Sequence, residues 1–386
     1  MLSSLRQPSL AALRSRRHCS EIMHRSLRPP TPATAATPLA RRAQAGDNDQ
    51  QPPLACLSSL LARADDPSSP ETEVDAAEEA ATELALELST TTREEQKQQR
   101  LRGFGRAALP PRRAYSLADL RLSRVEPSRV LSPVDATLDS FRDKAQIAAA
   151  AGAVALAAAA HPSFSQGVSA AASLFFLATL DAVVANGGFG FLVLDSAARV
   201  FSSSYAKRVA AHEAGHFLVA YLLGLLPRGY DLSSLSAFKR SRALNVQAGT
   251  RLCDVAFRKE VSSGKISSSS VDRAAAVALA GVAAEYCLFR RDGKNDAASN
   301  SDEIGESAEG GLGDIQQLDA LLKALAFSQT KADSTVRYAL LTAVTLLRRH
   351  SRAHSRLAEA MLRGEGVVEC VAAVEAELAA VADDDI

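Results

Sequence analysis

The sequence predicts a mainly α-helical fold with a minor β element, preceded by an apolar helical hairpin and a disordered N-terminal region. Three observations lead there. Alanine is abundant, which favours helix, while Trp is absent and aromatics make up only 5% of the chain. The stretch from Arg208 to Leu226 has apolar flanks and no proline until Pro227, so it reads as one helix buried on most sides. Helical spacing returns from Ser270 to Leu288, and again where Ile315, Leu318, Leu322 and Leu325 share one stripe.

The totals narrow the function classes. The 386 residues suffice for two ordinary domains, although much of the chain does not read as globular. A net charge of zero and a pI near 7.1 give no footprint for nucleic acid. The five cysteines are odd in number and lack C-x-x-C spacing, which argues against a disulfide framework and against a cysteine zinc site. Maturation in a reducing compartment is expected.

Residues 1–45 hold Arg6, Arg14, Arg16, Arg17, Arg25, Arg28, Arg41 and Arg42 against one acid, Glu21, among Ser, Ala and Pro. There is no apolar core long enough for a secretory signal. The composition is that of an organelle transit peptide, chloroplast in this reading and mitochondrial in the alternative. Residues 46–144 then change sign. An acidic run from Asp65 to Glu87 and a mixed-charge stretch from Glu94 to Arg102 predict a disordered, solvated linker, with room for short helices but little apolar surface to bury. Pro110-Pro111 closes it, and an arm broken by Pro127 and Pro133 follows.

Residues 145–200 form the apolar hairpin. Gln146 to Ala160 is almost all alanine, and Val168 to Val184 contains Leu174-Phe175-Phe176-Leu177. Phe189 to Leu194 adds a third apolar piece. Two readings stay open. One is contact with a membrane, for which the first run is shorter than the ~20 residues of a full span. The other is a hairpin packed over the following domain. Asp181 would be costly within a span unless it is functional or lies near a helix end.

Residues 201–386 form the last domain. Its helix carries His212-Glu-Ala-Gly-His216, the pattern His-Glu-x-x-His. Residues four apart on a helix share a face, with Cβ atoms roughly 5–6 Å apart. Two imidazoles so spaced can each reach one Zn²⁺ at about 2.0–2.1 Å. Glu213 stands beside the pair and can reach a metal-bound water without binding the metal. Zn²⁺ lowers the pKa of such a water to near 7, so Glu213 can take its proton. Gly215 lets another backbone approach closely.

Beyond the motif, Leu244 to Thr250 suggests a short strand and turn. Glu285 lies in an apolar helix, either as a hydrogen-bonded core carboxylate or as the partner that holds a ligand histidine. Arg290 to Glu309 reads as a polar exposed insertion. Asp314 is placed for the first turn of the next helix. Arg348 to His354 offers a second histidine pair, read as a solvated basic face because its arginines repel a cation. Zinc wants a third protein ligand. The metzincin continuation fails, since Phe217 to Pro227 contains no histidine. Glu260 and Glu285 are the nearby choices.

Ala211-His-Glu-Ala-Gly-His216, Leu279-Ala-Gly-Val-Ala-Ala-Glu285 and Gly311-Leu-Gly-Asp314-Ile resemble, in order, the motifs of the FtsH peptidase family. The resemblance covers roughly residues 205–350. It implies a helical FtsH-like peptidase domain, His212, His216 and Asp314 as zinc ligands, and Glu213 as catalytic base. The sequence differs from the family at Val282, where an Arg is common, at Tyr286, where a second acid is common, and at Gly313, where an Asn usually precedes the ligand. No G-x-x-x-x-G-K-[ST] phosphate loop occurs. The chain is thus similar to plant plastid FtsH-like proteins that keep the peptidase without the ATPase. The implied activity is a zinc-dependent metalloendopeptidase for unfolded or flexible organellar proteins. The alternative is a weak or inactive pseudoprotease, a subunit or scaffold of an organellar membrane protease complex. Implied partners are protein or peptide substrates, ATPase-containing FtsH subunits, and a thylakoid or envelope membrane.

Overall fold

The computed structural model describes residues 53–91, 100–131, 136–185, 187–242, 249–292 and 311–379. Residues 1–45, where a transit peptide is expected, and residues 293–309 of the expected insertion lie outside the described residues. Helices α1 (Pro53–Asp65) and α2 (Glu71–Thr90) come first, and they correct the solvated-linker expectation. The acids of α2 alternate with a stripe. Ala77, Ala81, Ala85 and Leu88 are buried at helical spacing, a pattern that the total charge conceals. Leu57 and Leu61 of α1 join Ala81, Ala85 and Leu88 in the main core.

The acids have fixed partners too. The Asp65 carboxylate takes a two-pronged bond from Arg251, at 2.6 and 2.7 Å, the geometry that suits guanidinium and carboxylate best. Buried Glu78 pairs with Arg228 and Arg258. Burial raises the Glu78 carboxyl despite those arginines.

The arm is ordered as well. Helix α3 (Leu117–Leu122) starts at a capping box between Ser116 and Asp119. The short α4 (Pro127–Val130) begins with a proline, whose missing N–H costs nothing at a helix start. Leu101, Phe104, Tyr115, Leu120, Val125 and Val130 all enter the main core.

Three helices occupy the apolar region: α5 (Ala136–Ala160), α6 (Phe164–Val184) and α7 (Gly188–Phe201). The packed-hairpin reading does not hold for the first two. Residues 142–159 of α5 and 164–180 of α6 are exposed. Only α7 settles on the rest of the fold, burying Leu192, Asp195 and Ala198. The Asp195 carboxylate accepts from the Tyr205 hydroxyl at 2.7 Å and from the Ser234 N–H at 2.8 Å. Asp181 lies in the last turn of α6. Its carboxylate accepts from the N–H groups of Phe189 and Gly190, both at 3.0 Å. It therefore caps the start of α7, where a negative charge is favoured.

The motif helix is α8 (Ser203–Leu222), begun by the Ser202 side chain, which accepts from the Tyr205 N–H. Every residue from Ala210 to Leu222 is buried, as expected of a central helix. After it come β1 (Pro227–Asp231), α9 (Ser234–Ser241) and β2 (Gly249–Leu252). The strands pair antiparallel, Pro227 with Leu252 and Asp231 with Gly249, with an irregularity between Pro227 and Gly229. The expected strand near Thr250 is present as β2, while residues 243–248 lie outside the described ones.

Helices α10 (Val255–Ser263), α11 (Ser268–Ala278), α12 (Ala280–Asp292), α13 (Leu312–Ala324), α14 (Gln329–Arg349), α15 (Ser351–Leu362) and α16 (Val367–Leu378) complete the fold. Both α12 and α15 pack against α8, and α14 packs on α11 and α12. The fold is mainly α with a single two-stranded sheet among the described residues.

One expectation about α14 and α15 is corrected. His350 and His354 are buried rather than solvated. The chain leaves helical geometry at His350 and restarts at Ser351, turning the next face inward. The His354 Nε2–H donates to the carbonyl of Ala211 at 2.8 Å, under the motif helix. Arg348 is drawn aside to the carbonyls of Ser123 and Arg124.

Candidate metal centre

His212 and His216 project from the same face of α8, as i, i+4 spacing requires, and their Nε2 atoms lie 3.1 Å apart. Asp314, in the first turn of α13, brings Oδ2 to 3.0 Å from His212 Nε2 and 3.3 Å from His216 Nε2. The first-turn position and the meeting with the histidines are compatible: a Cβ on Gly311, the N-cap of α13, would lie 3.3 Å from Asp314 Oδ2 and 3.2 Å from the His212 ring, so the helix start and the histidine pair meet at this carboxylate. Among the described residues, these three side chains form the one group arranged to hold a metal ion.

The other ring nitrogens determine what this triangle can bind. His216 Nδ1 lies 2.7 Å from the carbonyl of Val277, which can only accept, so Nδ1 carries the proton. His212 Nδ1 lies 2.8 Å from Glu285 Oε1, and an ionised carboxylate likewise only accepts. In the neutral tautomers, both Nε2 atoms then offer lone pairs toward a carboxylate oxygen. Three acceptors facing one another repel unless a proton or a metal cation joins them. A tetrahedral zinc with bonds of about 2.0–2.1 Å needs donors about 3.3–3.4 Å apart. The observed edges of 3.0, 3.1 and 3.3 Å come close to that spacing, and two imidazoles with one carboxylate are a donor set that zinc accepts.

The protonation energetics agree. Burial weighs most on each group and opposes charge. At His212 the hydrogen bonds and charges of Asp314 and Glu285 overcome burial and hold the imidazole well above its ordinary value. His216 is raised in the same way, burial again being outweighed by Asp314. Burial would raise Asp314, but His216 and His212 hold its carboxyl well below the usual carboxylate range. The pocket attracts positive charge. Glu213 differs: burial pushes its carboxyl up, against the pull of His216 and His212.

Glu285 is buried and binds the far nitrogen of His212 rather than the triangle. Glu260, the other nearby acid, is elsewhere. It accepts from the Ser267 N–H at 2.9 Å and the Ser270 hydroxyl at 3.0 Å, at the start of α11. Three contributors escape sequence reasoning. The Val277 carbonyl orients His216, and a main-chain group leaves no side-chain signal. The Thr250 hydroxyl on β2 lies 3.0 Å from Glu213 Oε2 and ties the glutamate to the sheet. Gly281 is the third. A Cβ there would come within 2.3 Å of His212 Nε2 and 2.5 Å of His216 Nε2. A glycine inside an apolar helical run was the available signal. Gly215 acts as expected: a Cβ there would meet the Ala280 carbonyl oxygen at 2.7 Å, so it allows α12 to approach α8.

Chemically, the site can hold a divalent cation by two nitrogens and one oxygen, and buried Glu213 directly follows the ligand candidate His212 in the chain. No protein-family model matches the chain, and no curated protein or solved structure matches it.

Proposed function

We propose that the chain is a zinc metalloendopeptidase that hydrolyses peptide bonds in unfolded or flexible protein segments. The observation that carries this reading is the convergence of three lone pairs, from His212, His216 and Asp314, beside buried Glu213. The likeness of the three motifs to the FtsH peptidase family supports the same assignment. His212, His216 and Asp314 would hold the zinc. Bound there, zinc supplies a Lewis acid that polarises a carbonyl and makes a water more acidic.

The chain's own residues supply the proton handling. Glu213 is the general base. It takes a proton from the attacking water and returns it to the leaving amine nitrogen. Thr250 holds one carboxylate oxygen and so limits the orientations that Glu213 adopts. Glu285 and the Val277 carbonyl keep both imidazoles in the tautomer that offers Nε2, the role that outer partners of metal-bound histidines commonly play. The 386 residues contain no phosphate-loop motif, and the substrates that suit this reading are segments already unfolded or delivered by an ATPase.

The test compares zinc content with hydrolysis of unfolded casein by the purified chain. Wild type is expected to bind one zinc and cleave. Glu213→Gln keeps the shape but cannot accept a proton at neutral pH, so zinc stays and the rate falls about 10²–10⁴-fold. His212→Ala, His216→Ala and Asp314→Ala each lose zinc. A wild-type chain that binds zinc yet cleaves nothing, even beside an ATPase partner, would replace this reading with a non-catalytic subunit.

A further inference from the structure

We infer that Asp65, the last residue of α1, is a positioning residue for Glu213: it holds strand β2, and β2 holds the glutamate carboxylate. Its effect on rate rests on the peptidase reading above, while its grip on β2 stands on contacts alone.

Strand β2 has little of its own to hold it in place. None of its four residues, Gly249 to Leu252, is fully buried, and Leu252, at its far end, leans on the main core. Neighbouring strand residues face opposite ways, and here the two faces have different partners. The Thr250 hydroxyl meets α8, 3.0 Å from Glu213 Oε2 and 3.2 Å from the Glu213 carbonyl oxygen. Arg251 meets α1 instead. Its Nε and Nη2 donate to the two oxygens of Asp65 at 2.6 and 2.7 Å, and its Nη1 donates to Asp231 of β1 at 2.5 Å. A two-pronged bond fixes direction as well as distance. One peptide unit thus separates the residue that touches the glutamate from the residue that Asp65 grips.

Asp65 stands where a carboxylate is otherwise disfavoured. It ends α1, and a negative charge at a helix C-terminus opposes the helix dipole. Arg251 offsets that cost, with Arg240 Nη1 3.7 Å away as a second cation. The pair has room made for it. A Cβ on Gly229 of β1 would come within 2.3 Å of Arg251 Nη2 and 2.7 Å of Asp65 Oδ2, so the glycine leaves the space that the pair fills. The same N-terminal helices hold the chain again just past β2, where the Asp254 N–H donates to Glu78 of α2 at 3.1 Å. Glu78 is fully buried, whereas the Asp65 side chain is 23% exposed, so Asp65 can be altered without opening the core.

The test uses the full chain with zinc, and labelled, unfolded casein as substrate. Asp65→Asn keeps the shape but loses the charge that grips Arg251. It is expected to lower kcat at least fivefold, with KM and zinc content unchanged. Arg251→Lys keeps the positive charge but not the fork and should show the same loss, so it decides the question should Asp65→Asn misfold by circular dichroism. Thr250→Val breaks the link to Glu213. Adding Asp65→Asn to Thr250→Val should then lower kcat no further, the non-additivity of two residues acting through one path. Glu79→Gln, which breaks an exposed pair with Lys259 of α10, is the control and should leave kcat within twofold. Hydrogen exchange read by mass spectrometry needs no catalysis. In Asp65→Asn the amides of Gly249 to Leu252 should exchange at least tenfold faster, with those of α8 unchanged. Wild-type kcat in Asp65→Asn, full additivity with Thr250→Val, or an equal loss in Glu79→Gln would each overturn the inference, as would wild-type exchange in β2. If the wild-type chain cleaves no casein, the peptidase reading fails, and exchange alone then decides whether Asp65 holds β2.

Discussion

Gly281 determines how closely α12 approaches the two ligand histidines. A methyl group there would lie within 2.5 Å of both Nε2 atoms, inside any van der Waals contact, so one helix or the histidines must move. Gly281→Ala is therefore expected to cost the site at least tenfold in zinc affinity, while the far-ultraviolet circular dichroism remains helical. Isothermal titration with zinc measures the first and circular dichroism the second. Wild-type affinity in that variant would mean the histidines can be displaced at no cost. Asp314 shows a related economy at the same scale. One residue lies in the first turn of α13, where a negative charge is favoured, and completes the donor triangle with the carboxylate of that same side chain.

At the scale of elements, α1 and α2 carry the largest revision. Their acids suggest solvent, yet Leu57 is fully buried and Arg251 of β2 grips Asp65. A solvated linker would tolerate substitution to within about 0.5 kcal/mol. A core helix would not, and truncating a buried leucine to alanine costs about 2–5 kcal/mol. Leu57→Ala is thus expected to lower the midpoint of thermal or urea unfolding clearly, with the zinc ligands untouched. A midpoint equal to wild type would return α1 to the surface. These helices also brace Glu213 indirectly. They pack on β1 and α10, and β1 pairs with β2, which carries Thr250 beside Glu213.

For the whole molecule, the candidate metal site joins α8 to α13, and Glu285 ties α12 to the same histidine. A cation bound only by the folded chain stabilises it by mass action, about 2.7 kcal/mol at one hundred times the dissociation constant. For a domain of this size that corresponds to about 5–10 °C in the unfolding midpoint. Chelation is expected to lower the midpoint by that amount, and added zinc to restore it. In Asp314→Ala, which lacks the link to α13, the response to chelator should largely vanish. Differential scanning calorimetry with and without chelator checks both.

Local spacing determined much of this protein. The histidine pair, the neighbouring glutamate and the mainly α class follow from residues a few positions apart, whose relative placement a helix sets by itself. The same holds for the central position of α8, legible in its unbroken apolar flanks. Contacts between distant segments were decided only by the tertiary structure. From the residues alone, Glu260 and Glu285 were as eligible a third ligand as any. Asp314 stands 102 positions from His212, and only the packing of α13 brings its carboxylate to the triangle while Glu285 takes the opposite nitrogen. Charge counts placed α1, α2 and the His350–His354 face in solvent, because composition registers how many charges a segment has and not which side of a helix they occupy. Burial of those faces depends on what packs against them, and that information resides in no single segment.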